Sequence, residues 1–175
     1  MALETPTTAP HAAGDKAEDF TLKATNGQTY ASRPARQNGL LLLALFKTGC
    51  GTCKFSAPYL QRFHEQYALP SGGKFQIWGV SQNMEEETLT FAREYGNLTF
   101  PLLLDADLDV TAAFGITHVP NLYLLNADDT IAASVIGHFG TEEFNALAEQ
   151  IARGAGVPYT PIVKAEDNAP AIKPG

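Results

Sequence analysis

Residues 40–63 read LLLLALFKTGCGTCKFSAPYLQRF, and this stretch decides which fold to expect. Leu40–Phe46 is apolar without alternation, as is typical of a strand covered on both faces. Further on, apolar residues recur at spacings of three and four, which predicts a helix carrying Phe55, Tyr59, Leu60 and Phe63. Cys50 and Cys53 are the only two cysteines of the 175-residue chain. They therefore fall where a buried strand ends and a helix begins.

Strand and helix patterns alternate along the rest of the chain. The predicted strands are 75–81, 101–105, 122–125 and 131–136; the predicted helices are 85–95, 110–114 and one capped by Thr141 that ends near Gly154; a hairpin joins 20–22 to 28–30. Such alternation predicts an α/β fold with a sheet covered on both faces.

The two ends of the chain differ in composition from the middle. Residues 1–15 are rich in Thr, Pro and Ala and read as a flexible arm, whereas residues 16–155 carry the strand and helix patterns of one domain. Residues 156–175 contain four prolines after the last helix, so we expect an extended and partly mobile tail.

Charge and hydropathy exclude several classes of partner. The formal net charge of -7 argues against binding nucleic acid or an anionic membrane surface. The longest apolar run is far too short to cross a bilayer, so no membrane insertion is expected. The first 16 residues lack a basic segment followed by an apolar one, which predicts a cytoplasmic protein, or an exported one if a leader precedes this sequence.

The position of the cysteines predicts redox chemistry. Cys50 at a helix N-terminus faces unpaired backbone N–H groups and the positive end of the helix dipole, which favour the thiolate. Cys53 comes nearly one turn later, so its sulfur can attack a mixed disulfide formed at Cys50. We therefore interpret Cys50 as the nucleophile and Cys53 as the resolving cysteine, with Gly51 and Thr52 permitting the tight turn.

Two other interpretations of the cysteines stay open at this point. A structural zinc site needs four ligands, and the histidines are scattered without ligand spacing, so we expect no metal and no organic cofactor. Alternatively, both cysteines are small hydrophobic residues of the core, because free cysteine is often buried.

The order of segments resembles the thioredoxin superfamily, and within it the TlpA/ResA-like thiol–disulfide oxidoreductases of the redoxin group. The resemblance rests on GDKAEDFTL at 14–22, FKTGCGTCK at 46–54, WGVSQN at 78–83, YGNLTFPLLLDAD at 95–107 and AFGITHVPNLYLLNADDTI at 113–131. It implies a three-layer fold, in which a central mixed β-sheet is flanked by helices, with an N-terminal β-hairpin and a strand-helix insertion.

The resemblance also implies roles for residues beyond the cysteines. Pro120 matches a cis-proline that faces the CxxC motif, and the backbone before it, at Val119, would pair with a bound substrate strand. Gly51, Thr52, His118 and Val119 are therefore placed at the substrate-binding surface. Pro58 matches a proline within the active-site helix.

Three departures from the family pattern concern the surroundings of the cysteines, and the last two of them concern proton transfer. Gly49 stands where an aromatic residue usually precedes the first cysteine, Ala44 stands where thioredoxins carry a buried acid, and Ser56 stands where ResA-like members often carry glutamate. The remaining candidates for a proton acceptor are Lys47, Lys54, His118 and ordered water. Lys47 is the first choice, since a cation beside Cys50 favours its thiolate.

The function expected from these observations is thiol–disulfide exchange on protein or small-molecule disulfides. Its partners would be a disulfide-containing substrate and a recycling reductant or oxidant. A peroxiredoxin-like peroxidase is the enzymatic alternative, but Lys47 and Cys50 occupy the positions where that site has threonine three residues before its cysteine. The third possibility is a redox sensor or adaptor that docks through its proline-rich tail.

Overall fold

The structure is a computed structural model that describes residues 9–175. Its strands are β1 Thr21–Lys23, β2 Thr29–Ala31, β3 Leu40–Phe46, β4 Phe75–Ser81, β5 Leu102–Leu104, β6 Asn121–Leu125, β7 Ile131–Ile136, β8 His138–Gly140 and β9 Ile172–Pro174. Its helices are α1 Ser32–Gln37, α2 Gly51–Phe63, α3 Glu85–Glu94, α4 Asp109–Ala113 and α5 Thr141–Ala155, with a π-helical turn at His64–Ala68 and a 3₁₀ turn at Ala165–Asp167.

Five strands form a mixed central sheet in the order β5-β4-β3-β6-β7. The pairs β3–β4 and β4–β5 are parallel, and the pairs β3–β6 and β6–β7 are antiparallel. The hairpin β1–β2 and the pair β8–β9 are separate two-stranded sheets. The thioredoxin-like architecture expected from the sequence, a central mixed sheet flanked by helices, is therefore confirmed, and the N-terminal hairpin is present.

The central strand β3 explains why the fold is stable and why the cysteines lie where they do. Residues 41–45 of this strand are at most 1% exposed, because helices cover both faces of the sheet. Burying each leucine side chain contributes about 1.5–3 kcal/mol. Since β3 and β6 are antiparallel with Leu45 opposite Asn121, the end of β3 lies beside the start of β6. This register brings the loop before α2 next to the segment that precedes β6.

The structure differs from the sequence expectation at α5. Thr141 was expected to cap this helix, but the cap residue is Gly140, and the Thr141 hydroxyl instead donates a hydrogen bond to the Pro170 carbonyl oxygen at 2.7 Å. The helix ends at Ala155, where Gly156 adopts a left-handed conformation (φ 68°) that closes the last turn. Because the Thr141 hydroxyl binds the backbone of the C-terminal tail, it does not cap α5.

The two chain ends are attached to the domain more closely than composition indicated. In the arm, residues 1–8 lie outside the described part, while the His11 and Gly14 N–H groups donate to the Phe114 and Ile131 carbonyls at 3.0 and 2.9 Å. In the tail, Ile162 and Val163 are buried in the core rather than free. Apolar side chains and long-range hydrogen bonds, which proline content does not reveal, fix this segment.

Candidate active site

The first feature of the site is the polar environment of Cys50. It caps α2 with an extended backbone, and the Cys53 N–H donates a hydrogen bond to the Cys50 Sγ at 3.2 Å. On its other side the Cys50 thiol donates to the Val119 carbonyl oxygen at 3.6 Å. The side chain is largely buried, with 8% of the residue exposed. One sulfur therefore has a donor that stabilises its thiolate and an acceptor that orients its thiol.

The carbonyl that faces Cys50 belongs to a constrained loop. The Val119–Pro120 peptide bond is cis, as the resemblance implied. The loop is held by Asn121, whose side-chain amide donates to the His118 carbonyl and whose Oδ1 accepts from the Gly137 N–H at 2.7 Å. Asn121 is fully buried, so these hydrogen bonds have no competition from water. The loop therefore has a fixed position relative to the start of α2.

A cavity of about 390 Å³ opens in front of the Cys50 sulfur. Six residues predicted for the site line it: Lys47, Cys50, Gly51, Thr52, His118 and Val119. Sequence reasoning missed the others, among them Gln82, Thr117, Lys173 and Gly175. Gln82 follows β4, which runs parallel to β3, so strand order alone could have placed it at this edge of the sheet.

Cys53 lies deeper and in apolar surroundings. It is 2% exposed and borders a void of about 10 Å³ lined by Ala44, Leu45, Phe46, Ser56, Leu60, Phe91, Pro120, Leu122 and Phe144. Burial raises the pKa of the Cys53 thiol well above its usual range, a hydrogen bond with Cys50 adds to this, and a backbone hydrogen bond from Lys47 opposes it. Cys53 is therefore held in the thiol form at neutral pH.

The inner surface around Cys53 offers little to accept its proton. The Ser56 hydroxyl donates to the Thr52 carbonyl at 2.7 Å, and Ala44 contributes only a methyl group. The void is at the lower limit for a single water and has few polar partners for one. A proton acceptor has to come from the side of the Cys50 cavity instead.

Of the three side chains considered as proton acceptors, two lie at that cavity. Lys47 and His118 line it, and the His118 Nδ1 is 3.0 Å from the Thr117 hydroxyl. Lys54 lies elsewhere: its ammonium is 5.3 Å from the centroid of the Tyr95 ring and it lines a neighbouring groove. Lys54 is therefore the weakest of the three candidates.

Residues 9–175 offer neither a metal site nor a membrane-spanning helix. The described residues contain no group of three or more His, Cys, Asp or Glu side chains that could hold a metal ion. Over the same range no helix is both long and apolar enough to span a bilayer. Both cysteines are free thiols.

Comparison with known proteins agrees with this geometry. The model of the AhpC/TSA family matches residues 13–134, which is more than half of the chain. The chain belongs to the AhpC/TSA family. Several curated relatives of this chain are named thiol-disulfide oxidoreductases, the subgroup that the CxxC site resembles.

Two curated relatives carry the same name. The chain is 30% identical over 115 residues to the thiol-disulfide oxidoreductase ResA of Halalkalibacterium halodurans, a match that covers 65% of this chain and 62% of that relative. It is 28% identical over 127 residues to ResA of Bacillus subtilis, covering 71% of this chain and 67% of the relative. Both relatives are named thiol-disulfide oxidoreductases, and this chain spans 62% of the length of the first and 67% of the length of the second.

A solved structure supports the fold of this AhpC/TSA chain. The thioredoxin domain of a thiol-disulfide oxidoreductase from Bacteroides vulgatus superposes with a TM-score of 0.68 at 23% identity. The superposition covers 81% of this chain and 99% of that domain. At this identity the likeness concerns the fold alone.

Proposed function

We propose that this protein is a thiol–disulfide oxidoreductase in which Cys50 is the nucleophile and Cys53 the resolving cysteine. The observation that carries the proposal is the position of the Cys50 sulfur between the Cys53 N–H and the Val119 carbonyl, at the mouth of the cavity. A nucleophilic thiol needs a stabilised thiolate and access to substrate, and this position provides both.

The reaction would proceed in two exchanges. The Cys50 thiolate attacks one sulfur of the substrate disulfide, forms a mixed disulfide and releases the other sulfur as a thiolate. The Cys53 thiolate then attacks the Cys50 sulfur, releases the second substrate thiol and leaves a Cys50–Cys53 disulfide. Two electrons pass from the protein dithiol to the substrate, and an external dithiol restores the pair. In an oxidising compartment the same steps run in reverse.

The surrounding residues would assist these steps. The Lys47 ammonium would favour negative charge on sulfur at this edge of the cavity, and the backbone of Val119 would pair with an extended substrate wherever that backbone is accessible. Lys47 and His118 line the cavity and would exchange a proton with the reacting sulfurs through it. Gly51 and Thr52 form the wall of the cavity at the start of α2.

Equilibration against a series of reduced-to-oxidised glutathione ratios tests the proposal. The state of the cysteine pair is read by mass after thiol trapping. We expect one reversible two-electron transition with a potential between about -270 and -120 mV, and its value tells reductant from oxidant. If the two thiols never pair at any ratio, the proposed reaction is wrong and the cysteines are core residues.

The same protein distinguishes the remaining alternatives. A peroxidase would consume hydrogen peroxide with dithiothreitol at a rate comparable to its disulfide reduction, which we do not expect with Lys47 in place of the threonine. A sensor would form the Cys50–Cys53 disulfide but would not turn over a substrate disulfide with dithiothreitol.

A further inference from the structure

The segment after α5 crosses the molecule and returns to the active site. The Tyr67 hydroxyl donates to the Thr160 carbonyl and accepts from the Thr160 N–H at 2.9 Å. Further along, the Asn145 side chain exchanges two hydrogen bonds with the Val163 backbone, at 2.9 and 3.0 Å. Arg62 of α2 then forms a bidentate ion pair with Asp167, at 2.6 and 2.8 Å. These three attachments direct the last residues toward the N-terminus of α2.

The last residues form a strand at the edge of the site. In the antiparallel pair β8–β9, His138 lies opposite Pro174 and Gly140 opposite Ile172. The Thr141 N–H donates to the Ala171 carbonyl at 2.9 Å, beside the Thr141 hydroxyl bond to Pro170. Residues 170–175, the internal strand segment, are therefore held to the domain by backbone hydrogen bonds of the kind that a bound peptide would make.

The end of the internal strand segment reaches the residues that surround Cys50. The Thr52 hydroxyl donates to the Pro174 carbonyl, and the Gly175 N–H donates to the Gly137 carbonyl at 2.9 Å. Lys173 and Gly175 line the same cavity as Cys50. The Lys173 ammonium is 5.6 Å from the centroid of the Phe55 ring, so this side chain also rests on α2.

Gly175 contacts the carbonyl that faces the nucleophile. A Cβ atom added to Gly175 would lie 1.9 Å from the Val119 oxygen, which no pair of atoms tolerates, so only glycine fits this position unless the segment shifts. The Val119 oxygen is also 3.6 Å from the Cys50 Sγ. An extended substrate that pairs with Val119 would need the space that Gly175 occupies.

We propose that the internal strand segment acts as a substrate selector, which keeps extended protein strands out of the site while small disulfides reach Cys50. The proposal rests on the proposed function and names its substrate class. A small disulfide needs only the sulfur of Cys50 and the open part of the cavity beside Lys47 and Gln82. A protein strand needs the backbone of Val119 and the edge of β8, but Gly175 lies against the Val119 carbonyl and β9 already pairs with β8.

The hydrogen bonds of this segment are strong enough to compete with a substrate strand for the site and weak enough for the segment to be released from it. Its six residues make few hydrogen bonds, each contributing about 0.5–1.5 kcal/mol, and Ile172 is 61% exposed. The buried residues Ile162 and Val163 and the Asp167–Arg62 pair lie upstream. Residues 170–175 can therefore leave the site while the rest of the tail stays in place, and the segment re-binds from a high effective concentration.

A single substitution tests this with the full chain. Gly175→Ala places a methyl group against the Val119 carbonyl and displaces the end of the segment, whereas the matched control Ile172→Thr changes only an exposed side chain of the same strand. Reduction of insulin and of hydroxyethyl disulfide is measured for each. We expect the ratio of kcat/KM for insulin to kcat/KM for hydroxyethyl disulfide to rise at least fivefold in Gly175→Ala and to stay within twofold in the control. An equal ratio in all three proteins would overturn the proposal.

A second readout does not depend on catalysis. In a Cys53→Ser background, Cys50 is alkylated with iodoacetamide and with a maleimide carrying a 5-kDa polyethylene glycol chain, using the full chain and a variant ending at residue 169. We expect the bulky reagent to react at least tenfold faster in the shortened variant, and iodoacetamide to react within twofold in both. Equal acceleration of both reagents would contradict selection by size. If neither disulfide is turned over, the proposed function fails, while the alkylation rates still decide the role of the segment.

Discussion

Cys50 lies at the start of α2 among backbone polar groups, whereas Cys53, one turn further on, lies against apolar side chains of the central sheet. The first sulfur has a donor at 3.2 Å and an acceptor at 3.6 Å. The second borders an apolar void, and burial raises its pKa. Two identical side chains three residues apart thus have different surroundings. Cys50 lies among polar backbone groups at the start of α2, and Cys53 lies among apolar side chains of the central sheet. Under the proposed function, Cys50 reacts first and Cys53 reacts only once it has lost its proton.

Exchanging each cysteine for serine should break this asymmetry most severely. We expect Cys50→Ser and Cys53→Ser both to lose at least about a thousandfold in turnover, because each two-step exchange needs both sulfurs. Only Cys53→Ser should accumulate a mixed disulfide with substrate, since its nucleophile remains. Mass spectrometry of the trapped adducts distinguishes them. A stable adduct on Cys53 in the Cys50→Ser protein would reverse the assignment of roles.

The raised pKa of Cys53 predicts a steep pH dependence of the resolving step. Below its pKa the thiolate fraction rises about tenfold per pH unit, so resolution should accelerate about a hundredfold from pH 6.5 to 8.5 without a plateau. Stopped-flow release of glutathione from a preformed Cys50–glutathione disulfide measures this rate. A plateau near pH 7 would show that Cys53 is not held as a thiol by its surroundings.

An acidic side chain introduced beside Cys53 should reduce the difference in reactivity between the two sulfurs. Ala44 lines the void with Cys53, so Ala44→Asp supplies a carboxylate that can accept the Cys53 proton. We expect the resolving step at pH 7 to accelerate by about tenfold relative to the matched Ala44→Asn protein, which has nearly the same size but no basic group. Both variants should melt at lower temperature, because each buries a polar group. Equal resolving rates would place proton transfer elsewhere.

The two lysines that flank the CxxC motif should differ modestly in their effect on the reactivity of Cys50. Lys47 lines the Cys50 cavity, while Lys54 lies over the Tyr95 ring. We expect Lys47→Gln to slow the reaction of Cys50 with iodoacetamide at pH 7 by about threefold, in keeping with a partly screened charge, and Lys54→Gln to leave it unchanged. The same loss in both variants would mean that only net charge matters.

The sequence predicts the sheet better than it predicts the site. Strand β3 is recognisable because burial on both faces demands an unbroken apolar run, and the helix after Cys50 is recognisable from its spacing. The positions of Val119 and Pro120 follow from the resemblance, since they are distant from Cys50 in the chain. Thr141 was misjudged because its hydroxyl had a competing partner in the tail.

No local sequence pattern predicts the internal strand segment. Residues 170–175 combine two prolines with a glycine and have neither strand alternation nor helical spacing. The preceding residues Thr160, Val163 and Asp167 are attached to side chains that lie 93, 18 and 105 positions earlier in the chain. Long-range side-chain contacts of this kind are fixed by packing, and a single sequence does not display them.

The proximity of Gly175 to the Val119 carbonyl has a practical consequence for handling the protein. Whatever polypeptide is joined to Gly175, an affinity tag or fusion partner included, would emerge beside the Cys50 cavity and would either pull β9 away from β8 or cover the Cys50 sulfur. Activities measured with a tag at that end would therefore report on the tag as much as on the enzyme.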